Sequence, residues 1–177
     1  MHLTVDTEIA APRQVVWEYI VDPDRHLEFM DGMTRWEIEG TKHIRQGARV
    51  AVRMCLGSVE LGGRLEIVEF DPPCDMAWTS VAGVDHRGRW RLRPSDNDRT
   101  HVELRVIYHA PGGILAYLID LVAAPMLKGH LQRSLTALKQ QVEALPRSAA
   151  QRSVTTRRGM RARNPRRSTH TVAGRDR

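Results

Sequence analysis

The chain has 177 residues, the length of one ordinary domain, and carries a net charge of +6. That excess is local: residues 147–177 hold ten Arg and one Asp, a balance of +9, while residues 1–146 hold 17 basic and 20 acidic side chains, a balance of −3. Two cysteines exclude a disulfide scaffold, the lack of about 18 uninterrupted apolar residues excludes an obvious spanning helix, and "MHLTVDTEIA" has no secretory pattern, so the cytoplasm is the expected compartment.

The chain opens on alternation. Leu3, Val5, Thr7 and Ile9 point one way and His2, Thr4, Asp6 and Glu8 the other, the period of a half-buried strand. Pro12 suits the first turn of a helix, whose apolar side is Val15, Val16, Tyr19 and Ile20. Asp22-Pro23 ends that helix and starts a second short one carrying Leu27, Phe29 and Met30. From Thr34 to His109 the period changes to two, with turn residues every eight to twelve positions. Six strands are predicted there, at 34–40, 48–56, 59–70, 75–82, 86–93 and 99–109, and their short connections favour an antiparallel meander. Gly62-Gly63 predicts a bulge or sharp bend inside the third of these six.

Residues 113–145 read as a long helix in two unequal halves, with a kink expected at Pro125. In the second half Leu127, Leu131, Leu135, Leu138, Val142 and Leu145 form a stripe suited to packing on a sheet. In the first half Leu115, Ile119, Val122 and Met126 form another on the opposite side. Three covers for that side stay open: the short helices, a membrane or partner surface met transiently, or a second copy of the chain.

The tail has no aromatic residue and no apolar periodicity, so it cannot offset the entropy of ordering it, and disorder is expected over 147–177. Its arginine clusters, Arg157/Arg158, Arg161/Arg163 and Arg166/Arg167, read first as a solvated extension with no specific partner and second as a patch that attracts the phosphates of nucleic acid or anionic lipid. Without interleaved aromatics to stack bases, nucleic acid is not an expected partner.

The expected class is therefore α+β: a curved antiparallel sheet of about seven strands around a long C-terminal helix, with two short helices after the first strand. Residues 1–146 form the domain. The helix is the element long enough to cover the concave face, and a cavity can remain between them. The order, with "IAAPRQVVWEYIVDPDRHLEFMDGM" at the start, "VEFDPPCDMAWTS" in the middle and a Leu-rich C-terminal helix, resembles the START-like helix-grip superfamily (SRPBCC), and within it the polyketide cyclase/dehydrase and lipid-transport group. That resemblance covers residues 2–145 and implies a hydrophobic ligand cavity, with the two short helices as its wall and gate.

If alternate strand residues face inward, Trp36, Ile38, Val50, Val52, Met54, Trp90, Leu92, Leu104, Val106 and Tyr108 lie on the concave side, joined by Met76 and Trp78. The expected ligand-binding set is His26, Met30, Trp36, Met54, Trp78, Trp90 and Tyr108, with Tyr117, Leu118 and Leu121 from the helix. Large aromatics and adaptable methionines suit a bulky apolar ligand, and they are equally the residues that fill a plain core. Arg87, Arg89, Arg91 and Arg93 share the other face of their strand, either as a basic patch or as a solvated face balanced by acidic neighbours such as Glu103.

Hydrolase, zinc and nucleotide signatures such as HExxH, GxSxG, GxxxxGK[ST] and GxGxxG are lacking, and no cofactor or metal is expected. His26, Glu69, His86, Tyr108 and His109 are the acid/base candidates for a cavity wall, but no two form a recognisable constellation, so no catalytic residue is assigned. The expected function is binding, and possible transport, of an apolar small molecule such as a lipid, quinone or polyketide. A cyclase or dehydrase using the same cavity, and a regulatory protein acting through the tail and the apolar helix side, are the alternatives.

Overall fold

The computed structural model describes residues 2–40, 43–108 and 114–146, without the side chains of 114–123. The tail lies outside the described residues. The chain order is β1 (His2–Ile9), α1 (Arg13–Val21), α2 (Pro23–Phe29), β2 (Met33–Ile38), β3 (Arg49–Leu56), β4 (Val59–Asp71), β5 (Asp75–Gly83), β6 (His86–Ser95), β7 (Arg99–Tyr108) and α3 (Ile114–Glu143). The seven strands form one curved antiparallel sheet in the order β1-β7-β6-β5-β4-β3-β2. β2 to β7 follow one another as a meander, and β1 closes onto the last strand with Leu3 opposite Val106 and Val5 opposite Leu104. β1 and β2 therefore occupy opposite edges of the sheet, and α1 and α2 bridge them.

Local chemistry sets the element ends. Pro12 is the N-cap of α1, one position before its first helical residue, and its extended backbone starts the helix without a side-chain cap. Asp22 caps α2 by accepting a hydrogen bond from the Asp24 N–H at 3.1 Å, with Pro23 pre-set for the first turn. Between β6 and β7, Asn97 and Asp98 both adopt positive φ, of 58° and 55°, as a tight hairpin requires. The anticipated irregularity near Gly62-Gly63 is displaced: β3 and β4 pair regularly through both glycines, and β4 slips register against β5 between Arg64 and Leu65 and again between Ile67 and Glu69.

α3 is assigned as one helix running through Pro125. Its stripe buries Leu131, Leu135, Leu138 and Val142, with Leu127 and Leu145 partly buried against the core. The core continues through Val16, Ile20, Phe29, Val50, Ile67, Met76, Leu92 and Leu104. Polar ties hold α3 to the bridge between β1 and β2. The Ala10 N–H donates to Glu143 Oε1 at 2.7 Å, the Tyr19 hydroxyl donates to Gln141 Oε1 at 2.9 Å, and the Asp31 N–H donates to the buried Ser134 hydroxyl at 2.9 Å. Burial, reinforced by Glu28 beside it, raises the Tyr19 hydroxyl above its ordinary pKa and keeps it a neutral donor. His130 Nδ1 lies at ion-pair distance from Asp31 Oδ2 but is not aligned for a hydrogen bond. Arg133 donates to the same carboxylate at 2.8 Å with good geometry.

The convex face is laced by ion pairs. Arg49 faces Glu66, Arg53 faces Glu60, Arg89 pairs with Glu69, Arg91 lies between Asp75 and Glu103, and Arg93 joins Asp75. Arg89, Arg91 and Arg93 are thus matched by carboxylates on neighbouring strands. Cys55 and Cys74 are free and half-buried.

Candidate functional site

A cavity of about 340 Å³ lies between the concave face of the sheet, the end of α2 and the C-terminal half of α3. Alternation places its wall. Val52, Met54 and Leu56 come from β3, Leu61 and Leu65 from β4, Trp78 from β5, Trp90 from β6, and Val106 and Tyr108 from β7. His26 and Met30 close one side with Met33 and Trp36 of β2, while Leu127 and Leu131 of α3 cover another. Val84 and His86, at the β5–β6 turn, complete it.

Two positions without side chains make room on this face. Gly63 lies opposite Val52 on β3 and Gly83 on β5, and a Cβ on it would strike the Ala82 carbonyl oxygen. Gly88 lies opposite Trp78, and a Cβ there would fall within the Trp78 ring. The indole thus lies across the bare backbone of β6, and glycine is what permits it.

The wall contains no Lys, Arg, Asp or Glu among the described residues. Its polar atoms belong to His26, His86, Tyr108 and the indole N–H groups. His26 is 1% exposed, and its Nδ1 lies 2.9 Å from the Ile20 carbonyl oxygen. An imidazole meets a carbonyl only as a donor, so the proton sits on Nδ1. Burial pushes the His26 pKa down to about 4, against the smaller upward pull of that hydrogen bond, and the ring is neutral at pH 7. It stacks on Trp36 with ring centres 3.9 Å apart and planes inclined by 19°, and meets Phe29 edge-on at 5.0 Å. The Nε1 atom of Trp36 is buried and has no hydrogen-bond partner among the described residues.

Of the expected ligand-binding residues, His26, Met30, Trp36, Met54, Trp78, Trp90 and Tyr108 line this cavity. The side chains of Tyr117, Leu118 and Leu121 lie outside the described residues, as do those of Leu115, Ile119 and Val122, whereas Met126 is exposed. Among the acid/base candidates, His86 joins His26 and Tyr108 in the wall, and His109 lies outside the described residues. Glu69 does not reach the cavity. The register slip between Ile67 and Glu69 puts Val68 and Glu69 together against a single residue of β5, which turns Glu69 to the convex face and onto Arg89. Val50, Met76, Leu92 and Leu104 face inward but are buried in the packed core beyond the cavity.

Sequence reasoning did not include Met33, Leu56, Leu61, Gly63, Leu65, Val84, Leu127 or Leu131 in the binding set. The β4 residues carried a usable signal. A two-residue Gly57-Ser58 turn pairs Leu56 with Val59, so Val52 must meet Gly63, and Leu61 and Leu65 share its face. Among the described residues, no group of three or more His, Cys, Asp or Glu is placed to hold a metal ion, and no helix is long and apolar enough to cross a membrane.

The family model described as "Polyketide cyclase / dehydrase and lipid transport" matches residues 1–143. The chain belongs to this family. Among solved structures, TTHA0849 from Thermus thermophilus is similar with a TM-score of 0.70 at 18% identity, covering 81% of this chain and 98% of that one. CV1439 from Chromobacterium violaceum aligns with a TM-score of 0.64 at 15% identity, covering 82% and 99%. Ms6760 from Mycobacterium smegmatis aligns with a TM-score of 0.61 at 19% identity, covering 81% and 91%. Identities this low establish a shared fold, here the helix-grip arrangement of the polyketide cyclase/dehydrase and lipid-transport family. No curated protein sequence matches the chain.

Proposed function

We propose that this member of the family binds and carries an apolar small molecule, such as a lipid, quinone or polyketide, in the cavity between sheet and α3. The supporting observation is the cavity itself. Protein interiors keep few voids larger than a water molecule, whereas about 340 Å³ falls within the range of ligand pockets. Its wall is nearly all carbon, so affinity comes from removing ligand surface from water, about 2.5 kcal/mol for each 100 Å². The setting we assign is the cytoplasm. Loading by transient contact with a membrane surface, through Met126, Leu115, Ile119, Val122 and the arginine tail, is part of the same reading; Met126 adjoins Leu127 of the cavity wall and reaches toward Gly57.

The test is recovery of the protein under native conditions, extraction into organic solvent and mass spectrometry of the extract, with titration of the stripped protein by the neutral dye Nile red. One equivalent of an apolar compound, or one-site dye binding with a blue shift, supports the reading. An empty protein that gives no saturable dye binding overturns it. The presence of His26, His86 and Tyr108 in the wall favours a second reading, cyclase or dehydrase chemistry in the same cavity. Turnover of a polyketide substrate that drops about tenfold or more in Tyr108→Phe without loss of binding would separate it from carriage.

A further inference from the structure

We propose that the convex face of the sheet carries a second binding site, a groove at Arg87, Arg89 and Arg105 that takes a small soluble phosphate monoester with an apolar body. The groove encloses about 420 Å³ and is lined by four arginines, Arg87, Arg89, Arg91 and Arg105, with Glu69 as its one carboxylate. Its occupancy does not depend on what the cavity on the other side of the sheet holds.

Strand register makes the face basic at this place. Read across the strands, one row of outward residues runs Ile107, Arg87, Thr79, Glu66, and the next runs Arg105, Arg89, Ala77, Glu69. Arg87 thus has an uncharged residue on either side, and its side chain has no ion pair or hydrogen bond among the described residues. Glu66, beyond Thr79, is taken by Arg49 at 3.3 Å. Arg105 stands directly opposite Arg89, a like-charge pair that destabilises a sheet unless something lies between the charges. The other carboxylates gather one row further on, where Asp6, Glu103 and Asp75 flank Arg91. Asp75 is shared by Arg91 and Arg93, at 3.4 and 2.8 Å, and Glu103 by Arg91 and Arg105, at 3.7 and 3.5 Å. In the first two rows three arginines therefore face Glu69, which pairs with Arg89, and two positive charges are left over.

That surplus sets the ligand class. Outward residues two apart on a strand are separated by about 7 Å and opposite ones on neighbouring strands by about 5 Å, so Arg87, Arg89 and Arg105 form a triangle that one tetrahedral anion can bridge. A phosphate monoester brings nearly two negative charges at pH 7 and three acceptor oxygens, and each guanidinium offers a planar fork of donors to them. A carboxylate brings one charge and two oxygens. Val68, Ala77 and Ile107 supply contact for an apolar ester group, and the volume falls in the range of small-molecule sites. The cavity on the concave side is closed to the same anion, because its wall has no Lys or Arg among the described residues.

The test is titration calorimetry of the full chain with 1-naphthyl phosphate, 1-naphthoate and inorganic phosphate. Naphthyl phosphate should saturate one site and bind at least about fivefold more tightly than either of the others. Arg87→Gln should weaken it about tenfold or more, the ratio that corresponds to about 1.4 kcal/mol for one hydrogen bond to a charged group. Arg157→Gln/Arg158→Gln, in the tail, should leave the affinity within about twofold. The Arg87 side chain is exposed and without a partner, so the urea midpoint of Arg87→Gln should match the wild type. Should it not, Arg105→Gln serves as the second variant, with a loss of about fivefold expected.

Absence of saturable binding, an affinity that survives both groove variants, naphthoate bound as tightly as the phosphate, or binding confined to vesicles containing phosphatidic acid would each overturn the inference and leave the carrier reading standing. Naphthyl phosphate that displaces Nile red would also overturn it, since the anion would then occupy the cavity. A protein that binds naphthyl phosphate through Arg87 but fails to bind Nile red would uphold the groove and overturn only the carrier reading.

Discussion

Replacing His26 by Gln converts a statement about burial into one about pH. In the folded protein the imidazole is enclosed by Ile20, Phe29 and Trp36 and has a pKa of about 4; in the unfolded chain it returns to about 6.5. The unfolded state therefore takes up its proton first, so the folded protein loses stability as pH falls from about 6.5 toward 4, and the loss levels off below that. At about 1.36 kcal/mol per unit, the full window costs about 3 kcal/mol, and about 2 kcal/mol is already gone at pH 5. Urea unfolding of wild type and His26→Gln at pH 7.5 and pH 5 isolates this contribution, because everything else is common to both proteins and cancels in the difference. The stability gap between the two should shift by about 2 kcal/mol toward the variant at pH 5. A gap that stays constant within about 0.5 kcal/mol would mean that the imidazole is hydrated or already charged in the native state, and the neutral wall described above would be wrong.

Gly88→Ala should destabilise the domain by about 1 to 3 kcal/mol in urea unfolding, because the new methyl must push Trp78 off β6, and Nile red affinity should change with it. Ser134→Ala removes a buried hydroxyl that accepts from the Asp31 N–H and donates to the His130 carbonyl, and should lower Tm by about 5 °C in calorimetry. Val52→Phe projects a ring into the cavity and should weaken Nile red binding about tenfold or more, with a smaller effect on the urea midpoint. A chain ending at Pro146 should bind Nile red with an affinity within about twofold of the full chain; a larger loss would mean that the arginine tail helps form the site.

Period and punctuation made most of the fold readable. The strict alternation of Leu3 to Ile9, the Asp22-Pro23 boundary and the 57–58 turn each state a local rule that the tertiary structure obeys. The Leu127 to Leu145 stripe marked the side of α3 that the sheet would cover. Parity failed where a bulge intervened. Glu69 looks inward when counted from the start of its strand, but a one-residue slip reverses it, and nothing in "EIVEFD" announces the slip. The orphan indole of Trp36 was equally hidden, since its lack of a partner depends on where β2 brings it relative to His26. Nor could composition say whether Trp78 and Trp90 fill the interior or border a space; Gly88, paired with Trp78 across the β5–β6 ladder, decides where the Trp78 indole lies.

The pairing of the first strand with the last has a consequence for how the protein is made. Glu8 must find His101, and Ala10 must find Glu143, across separations of 93 and 133 residues. A ribosome thus releases all seven strands before the vessel has its lid, α3, and a nascent chain spends that interval with its greasy lining open to solvent. Contacts so remote in sequence slow folding. A fitting cargo molecule that enters during that delay would shield the lining and speed closure, so availability of ligand during synthesis should raise the yield of folded protein.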